Sequence, residues 1–139
     1  MSEYVRDVMT VAAACVHPDT PLREAARLMD AQGIGCVLVA RDGLLTGLLT
    51  DRDITVRAVA GGADTLTLSC GAVCTAAPVT VGLDDTVATA ERLMRRHAVR
   101  RLPVAEAGRP LGLVSLGDLV VDQDPESLLA ELARAAYRA

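Results

Sequence analysis

Residues 5–54 and 70–119 are two copies of one unit, and nothing else in this 139-residue sequence restricts its fold as strongly. Gly47-Leu48 recurs as Gly112-Leu113, 65 positions later. The same offset pairs Thr10 with Thr75, Val16 with Val81, Asp19 with Asp84, Ala25 with Ala90, Gly43 with Gly108 and Asp53 with Asp118. It also aligns Arg27-Leu28-Met29 with Arg92-Leu93-Met94, and Val39-Ala40 with Val104-Ala105. About fifteen of fifty positions coincide without a gap, more than composition alone produces. One copy of roughly 50 residues buries too little surface to be comfortable alone, so the two are expected to fold together.

Each copy reads as β-α-β-β-α, which makes the chain α/β (α+β), with two pseudo-twofold-related repeats. In copy one Cys15-Val16-His17 is extended, Thr20 is the expected N-cap, and Pro21 takes the first helical position it favours. Leu22, Ala25, Ala26 and Met29 follow at helical spacing and give that helix one buried face, which Gly33 ends. Two apolar runs, 36–40 and 44–49, flank the turn residues Arg41-Asp42-Gly43 as a hairpin, and Thr50 opens a second helix. Copy two repeats the plan with a strand at 79–81, a helix at 86–97, strands at 102–105 and 111–114, and a helix from Leu116. The expected boundaries are 5–62 and 70–122 for the repeats, joined by the Gly61-Gly62-Ala63-Asp64 linker, and 125–139 for a C-terminal helix. Pro125 is expected to start that helix, and its stripe of Leu128, Leu129, Leu132 and Ala136 needs a partner surface.

Composition narrows the function. Phe and Trp are absent and only two Tyr are present, which removes the stacking platforms of single-strand nucleic-acid binding. A net charge of −4 gives no general attraction for a phosphate backbone, so nucleic acid is not an expected partner. No apolar run approaches the roughly 18 residues of a membrane span, and the start of the chain carries acids, so a cytoplasmic protein with no membrane partner is expected. Cys15, Cys36, Cys70 and Cys74 are then read mainly as small apolar residues, because the C-x-x-x-C spacing of the last two is not a common zinc signature. A minority alternative joins a cysteine pair with His17 or His97 in a metal site.

The most informative segments are Gly47-Leu48-Leu49-Thr50-Asp51-Arg52-Asp53-Ile54 and Gly112-Leu113-Val114-Ser115-Leu116-Gly117-Asp118-Leu119. Both run glycine, apolar pair, hydroxyl, two variable positions, carboxylate. As structure this is a capping box, with Thr50 or Ser115 as N-cap and Asp53 or Asp118 at N3. As a site, the same helix start offers amides, a hydroxyl and positive potential to an anion, while the carboxylate accepts from a ribose diol.

These two segments resemble the G-h-x-[ST]-x-x-[DN] signature of CBS domains, Met9-Thr10 with Val16 resembles the family's lead-in segment, and Arg101-Leu102-Pro103-Val104 its central strand. The chain is similar to small stand-alone actinobacterial members of that family. The resemblance implies a tandem CBS-domain pair (a Bateman module) with clefts between the repeats that take AMP, ADP, ATP or S-adenosylmethionine. It assigns Asp53 and Asp118 to ribose, and Thr50 and Ser115 to phosphate. Arg100 and Arg101 fall where nucleotide-binding members present basic residues, whereas copy one has Gly35 and Cys36 there, so the two sites are expected to differ. A homodimer and an unidentified regulated protein are the implied partners.

Arg92, Arg95 and Arg96 read as a solvated helix face opposite Val87, Ala90 and Leu93-Met94. An enzyme is not expected: there is no G-x-S-x-G, no H-E-x-x-H, no obvious Ser/His/Asp arrangement and no lysine for a phosphate loop. The alternative to ligand sensing is a ligand-free dimeric interaction and regulatory protein.

Overall fold

The computed structural model describes residues 1–11 and 13–136. Along the chain run a 3-10 turn (Val5–Asp7), β1 (Thr10–Val11), β2 (Cys15–Val16), α1 (Leu22–Gln32), β3 (Cys36–Arg41), β4 (Leu44–Thr50), α2 (Asp51–Asp53), a π-helix (Ile54–Val59), α3 (Cys70–Val73), β5 (Thr75–Ala76), α4 (Val87–His97), β6 (Arg101–Glu106), β7 (Arg109–Ser115), α5 (Leu116–Gln123) and α6 (Leu128–Ala136).

The chain forms two compact units, Ala14–Pro78 and Met1–Ala13 with Val79–Ala139. Their boundaries do not coincide with the copies in sequence, because each copy gives its first segment to the other unit. In the unit Ala14–Pro78 the sheet order is β2-β3-β4-β5. Here β2 and β3 are parallel across α1, and β5, from the start of copy two, pairs antiparallel with β4. The other unit has the order β1-β7-β6, with β1 from the start of copy one lying antiparallel to β7. The strand expected at 79–81 is reduced there to a single parallel bridge between Val81 and Val104.

The glycine of each motif explains the fit of these lead-in strands. A Cβ at Gly47 would lie 2.6 Å from Cys74 Sγ and 3.0 Å from the Thr75 carbonyl, and one at Gly112 would overlap the Thr10 carbonyl and Met9 Cε. Only a residue without a side chain lets the neighbouring backbone approach so closely. The hairpins match in detail: both have a register shift after the buried valine, at Val39/Ala40 and Val104/Ala105. Asp42-Gly43 and Ala107-Gly108 turn the chain at positive φ, the backbone that suits a right-twisted hairpin.

The cores are equivalent too. Leu22, Ala25, Met29, Val37, Val39 and Leu49 are buried in one unit, and Val87, Ala90, Met94, Leu102, Val104 and Val114 in the other. Each large aliphatic side chain buried this way contributes about 1.5–3 kcal/mol. Val5 caps the second core, while Cys70, at the matching place in the repeat, caps the first. Burial, reinforced by the neighbouring Cys74 and Glu24, pushes the Cys70 thiol up to about 11, so it acts as an apolar residue.

Two helix starts differ from the sequence reading. Pro21, in an extended conformation, is the N-cap of α1, because the Thr20 hydroxyl is turned back to accept from the His17 amide. Helix α6 begins at Leu128, not Pro125: the Ser127 hydroxyl accepts from the Ala130 amide and starts the helix one turn later. Residues 137–139 of the expected C-terminal segment, and the side chain of Ala136, lie outside the described residues.

Candidate functional site

Both motif segments are built at the end of a hairpin strand. Strand β4 delivers Thr50 and β7 delivers Ser115 in extended conformation, and each hydroxyl accepts from the N3 amide, of Asp53 or Asp118, at 3.1 Å. The carboxylates reach back in turn: Asp53 Oδ2 accepts from the Thr50 amide at 3.0 Å, and Asp118 Oδ2 from the Ser115 amide at 2.8 Å. These are complete capping boxes in both copies. The hydroxyls and one carboxylate oxygen of each pair therefore hold helix starts.

The ladder brings the basic residues to the second motif only. Arg101 lies opposite Ser115 in the β6–β7 register, and the Arg100 carbonyl accepts from the Leu116 amide at 2.8 Å. Arg101 is half-buried and Arg100 exposed, and among the described residues neither guanidinium has a hydrogen-bond or ion-pair partner. In copy one the corresponding places are Cys36, opposite Thr50, and Gly35, whose carbonyl accepts from the Asp51 amide at 2.9 Å. At these two matched positions copy two has two arginines and copy one has Gly35 and Cys36.

The first-turn amides diverge as well. At α2 all three are taken: Asp51 by Gly35, Arg52 by the Asp51 carboxylate at 2.8 Å, and Asp53 by Thr50. Asp51 also puts a negative charge on this helix start, which repels an anion. At α5, Leu116 and Asp118 amides are used, and Gly117 keeps a first-turn amide with no bond outside the helix among the described residues. Helix α5 runs eight residues, whereas α2 has three before the chain widens into the π-helix.

One turn beyond each carboxylate the charge reverses. Arg57 lies 3.8 Å from Asp53 Oδ1 and donates to the Val73 and Cys74 carbonyls at 3.0 and 3.2 Å, tying copy one's carboxylate to the lead-in segment of β5. Its counterpart in the repeat is Asp122, which accepts from the Ser2 hydroxyl at 2.7 Å and from the Ser2 amide at 2.9 and 3.0 Å. The hydroxyl bond, with that of the amide, holds the Asp122 carboxyl below its ordinary value. Sequence reading passed over Asp51, Arg57, Gly117 and Asp122. The signal was present in the variable positions of the motif and in the sign change at the offset of 65.

The CBS domain family profile matches residues 5–59 and 70–122. The chain belongs to the CBS-domain family. It is 39% identical over 119 residues to the CBS domain-containing protein YhcV of Bacillus subtilis, covering 86% of this chain and 84% of that one. It is 30% identical over 131 residues to hypoxic response protein 1 of Mycobacterium tuberculosis, covering 94% and 91%. The crystal structure of that protein, with two coordinated zinc ions, is similar with a TM-score of 0.77 at 31% identity over 84% of this chain and 96% of that one. Among the described residues of the present CBS chain, no group of three or more His, Cys, Asp or Glu is arranged to hold a metal ion. A crystal structure of CBSX2 in complex with AMP matches at a TM-score of 0.74 and 25% identity, over 87% and 96% of the two chains. No described helix of the CBS chain is long and apolar enough to cross a membrane.

Proposed function

We propose that this chain is a stand-alone CBS regulatory module that senses an adenosine-containing ligand, AMP, ADP, ATP or S-adenosylmethionine. The phosphate-bearing ligands bind at the copy-two motif. The observation that carries this reading is the unpaired Arg101 opposite Ser115, beside Arg100, at the start of α5. Arginines form charge-assisted, often bidentate bonds with phosphate, and the Gly117 amide and the helix dipole add to the same anion subsite. Asp118 supplies the ribose acceptor, and Ser115 lies on the phosphate side. Thr50 and Asp53 form the weaker site, where Asp51 opposes an anion and Arg57 already engages the carboxylate. The AMP-bound relative supports the ligand class.

The role is regulatory and not catalytic, the setting cytoplasmic on the sequence grounds above, and the working form a homodimer acting on a regulated protein. The exposed leucines of α6 support self-association. A thermal-shift panel of AMP, ADP, ATP and S-adenosylmethionine tests the ligand reading, because a ligand of the native state at a hundredfold excess over Kd stabilises by about 2.7 kcal/mol. No shift with any of them leaves the ligand-free interaction protein as the better account. Product formed on incubation with ATP would contradict the non-catalytic role.

A further inference from the structure

Four residues beyond the motif carboxylate, copy one has a cation where copy two has an anion: Arg57 follows Asp53, and Asp122 follows Asp118. The capping box of copy one uses one oxygen of Asp53. Oδ2 accepts from the Thr50 amide at 3.0 Å, and Oδ1 faces Arg57 Nε at 3.8 Å. The Asp53 side chain is only 15% exposed, so salt and water screen this attraction less than they would a surface pair. The guanidinium is clamped from its other side as well, because Nη1 donates to the Val73 and Cys74 carbonyls at 3.0 and 3.2 Å. Burial pushes the Cys74 thiol up and the Asp53 charge adds to it, while the Arg57 charge opposes them, so the three side chains form one cluster. Arg57 belongs to the π-helix Ile54–Val59, and widened turns of this kind are frequent at functional sites.

The oxygen that Arg57 faces is the one a ribose diol would need. Oδ2 is committed to the helix start, so a nucleoside reaching Asp53 meets Oδ1. A guanidinium attracts a carboxylate more strongly than a neutral hydroxyl does, so the diol has to displace a clamped cation. Resting on the reading of the two motifs above, we propose that Arg57 is the specificity determinant of copy one: it holds the ribose-accepting oxygen of Asp53 and keeps nucleosides out, and without it the site takes an uncharged nucleoside in preference to a nucleotide. The preference follows from charge. With Arg57 removed, Asp51 and Asp53 leave the site negative, and Gly35 and Cys36 supply no cation to offset them.

Isothermal titration of adenosine and of ATP into the full chain tests this, with circular dichroism to verify that each variant is folded. At concentrations that saturate copy two, wild type is expected to bind about one adenosine per chain. Arg57→Gln, which keeps a donor for the Val73 and Cys74 carbonyls, and the more drastic Arg57→Ala are each expected to bind about two, while ATP stays at about one. Arg57→Gln/Asp53→Ala returns adenosine to about one, which assigns the gained site to copy one. Single variants that gain no adenosine, or a double variant that keeps the gain, overturn the proposal. A second ATP bound by Arg57→Gln overturns the preference for an uncharged nucleoside. A wild type that binds no adenosine overturns the ligand reading of copy two; Arg57→Gln is then still expected to gain one, and no gain overturns this proposal too.

Discussion

The two motif segments share a capping box and little else. Thr50–Asp53 and Ser115–Asp118 satisfy the same amides at matching distances, yet copy one continues into a π-helix and copy two into eight residues of α-helix. Copy one closes its first-turn amides and ties Asp53 to Arg57; copy two keeps the Gly117 amide and has Arg101 in register with Ser115, next to Arg100. A repeated motif thus specifies a helix start, while its variable positions and the strand opposite decide which charged groups surround that start. On the function proposed above, copy two takes the anion and copy one the weaker site.

The largest expected effect comes from the glycines. At Gly112 an added methyl meets the Thr10 carbonyl, a backbone atom that cannot rotate away, so Gly112→Ala is expected to destabilise by about 3 kcal/mol. The nearest atom at Gly47 is the Cys74 thiol, so Gly47→Ala should cost less, about 1–2 kcal/mol. Chemical denaturation of both variants checks the order. A reversed order would mean that the lead-in strands do not lie over the two motifs as described.

Next come the carboxylates. Asp53→Ala and Asp118→Ala each remove half of a capping box and should lower stability by about 1 kcal/mol. They diverge in binding: Asp118→Ala weakens adenosine and its nucleotides together, whereas Asp53→Ala leaves affinity near wild type. Equal losses of affinity would erase the distinction between the copies.

The smallest effect tests the charge reversal. Because its pKa is depressed in the folded protein, Asp122 contributes stability above the ordinary aspartate pKa of about 3.9, and this is lost as pH falls through the folded value. Asp122→Asn should cost about 1 kcal/mol or less at neutral pH, with the difference from wild type vanishing in acid. Melting curves across pH 2–7 are the check. A difference that persists in acid would assign the loss to packing.

The repeat made the elements and their cores legible because period and offset coincide: Val39 and Val104 are both fully buried in matching strands. Capping chemistry was equally legible, since Thr50, Ser115 and their carboxylates interact locally. The exchange of lead-in strands was not, because pairing Thr10 with Leu113 or Thr75 with Leu48 is a long-range choice that no local pattern encodes. The leucines of α6 were visible as a stripe, but the alanines by which the helix rests on α5 became clear only from Ala130 and Ala133. Alignment of the copies singles out Arg100 and Arg101, while the groups that set copy one apart, Asp51 and Arg57, act through contacts the motif pattern leaves unspecified.

Isothermal titration of ATP and of adenosine into wild type and Arg101→Ala tests the central claim most directly. Loss of one charge-assisted phosphate contact, about 1.5–3 kcal/mol, should weaken ATP roughly ten- to a hundredfold and leave adenosine unchanged. ATP binding that survives Arg101→Ala at full strength would contradict the assignment of the phosphate site to copy two.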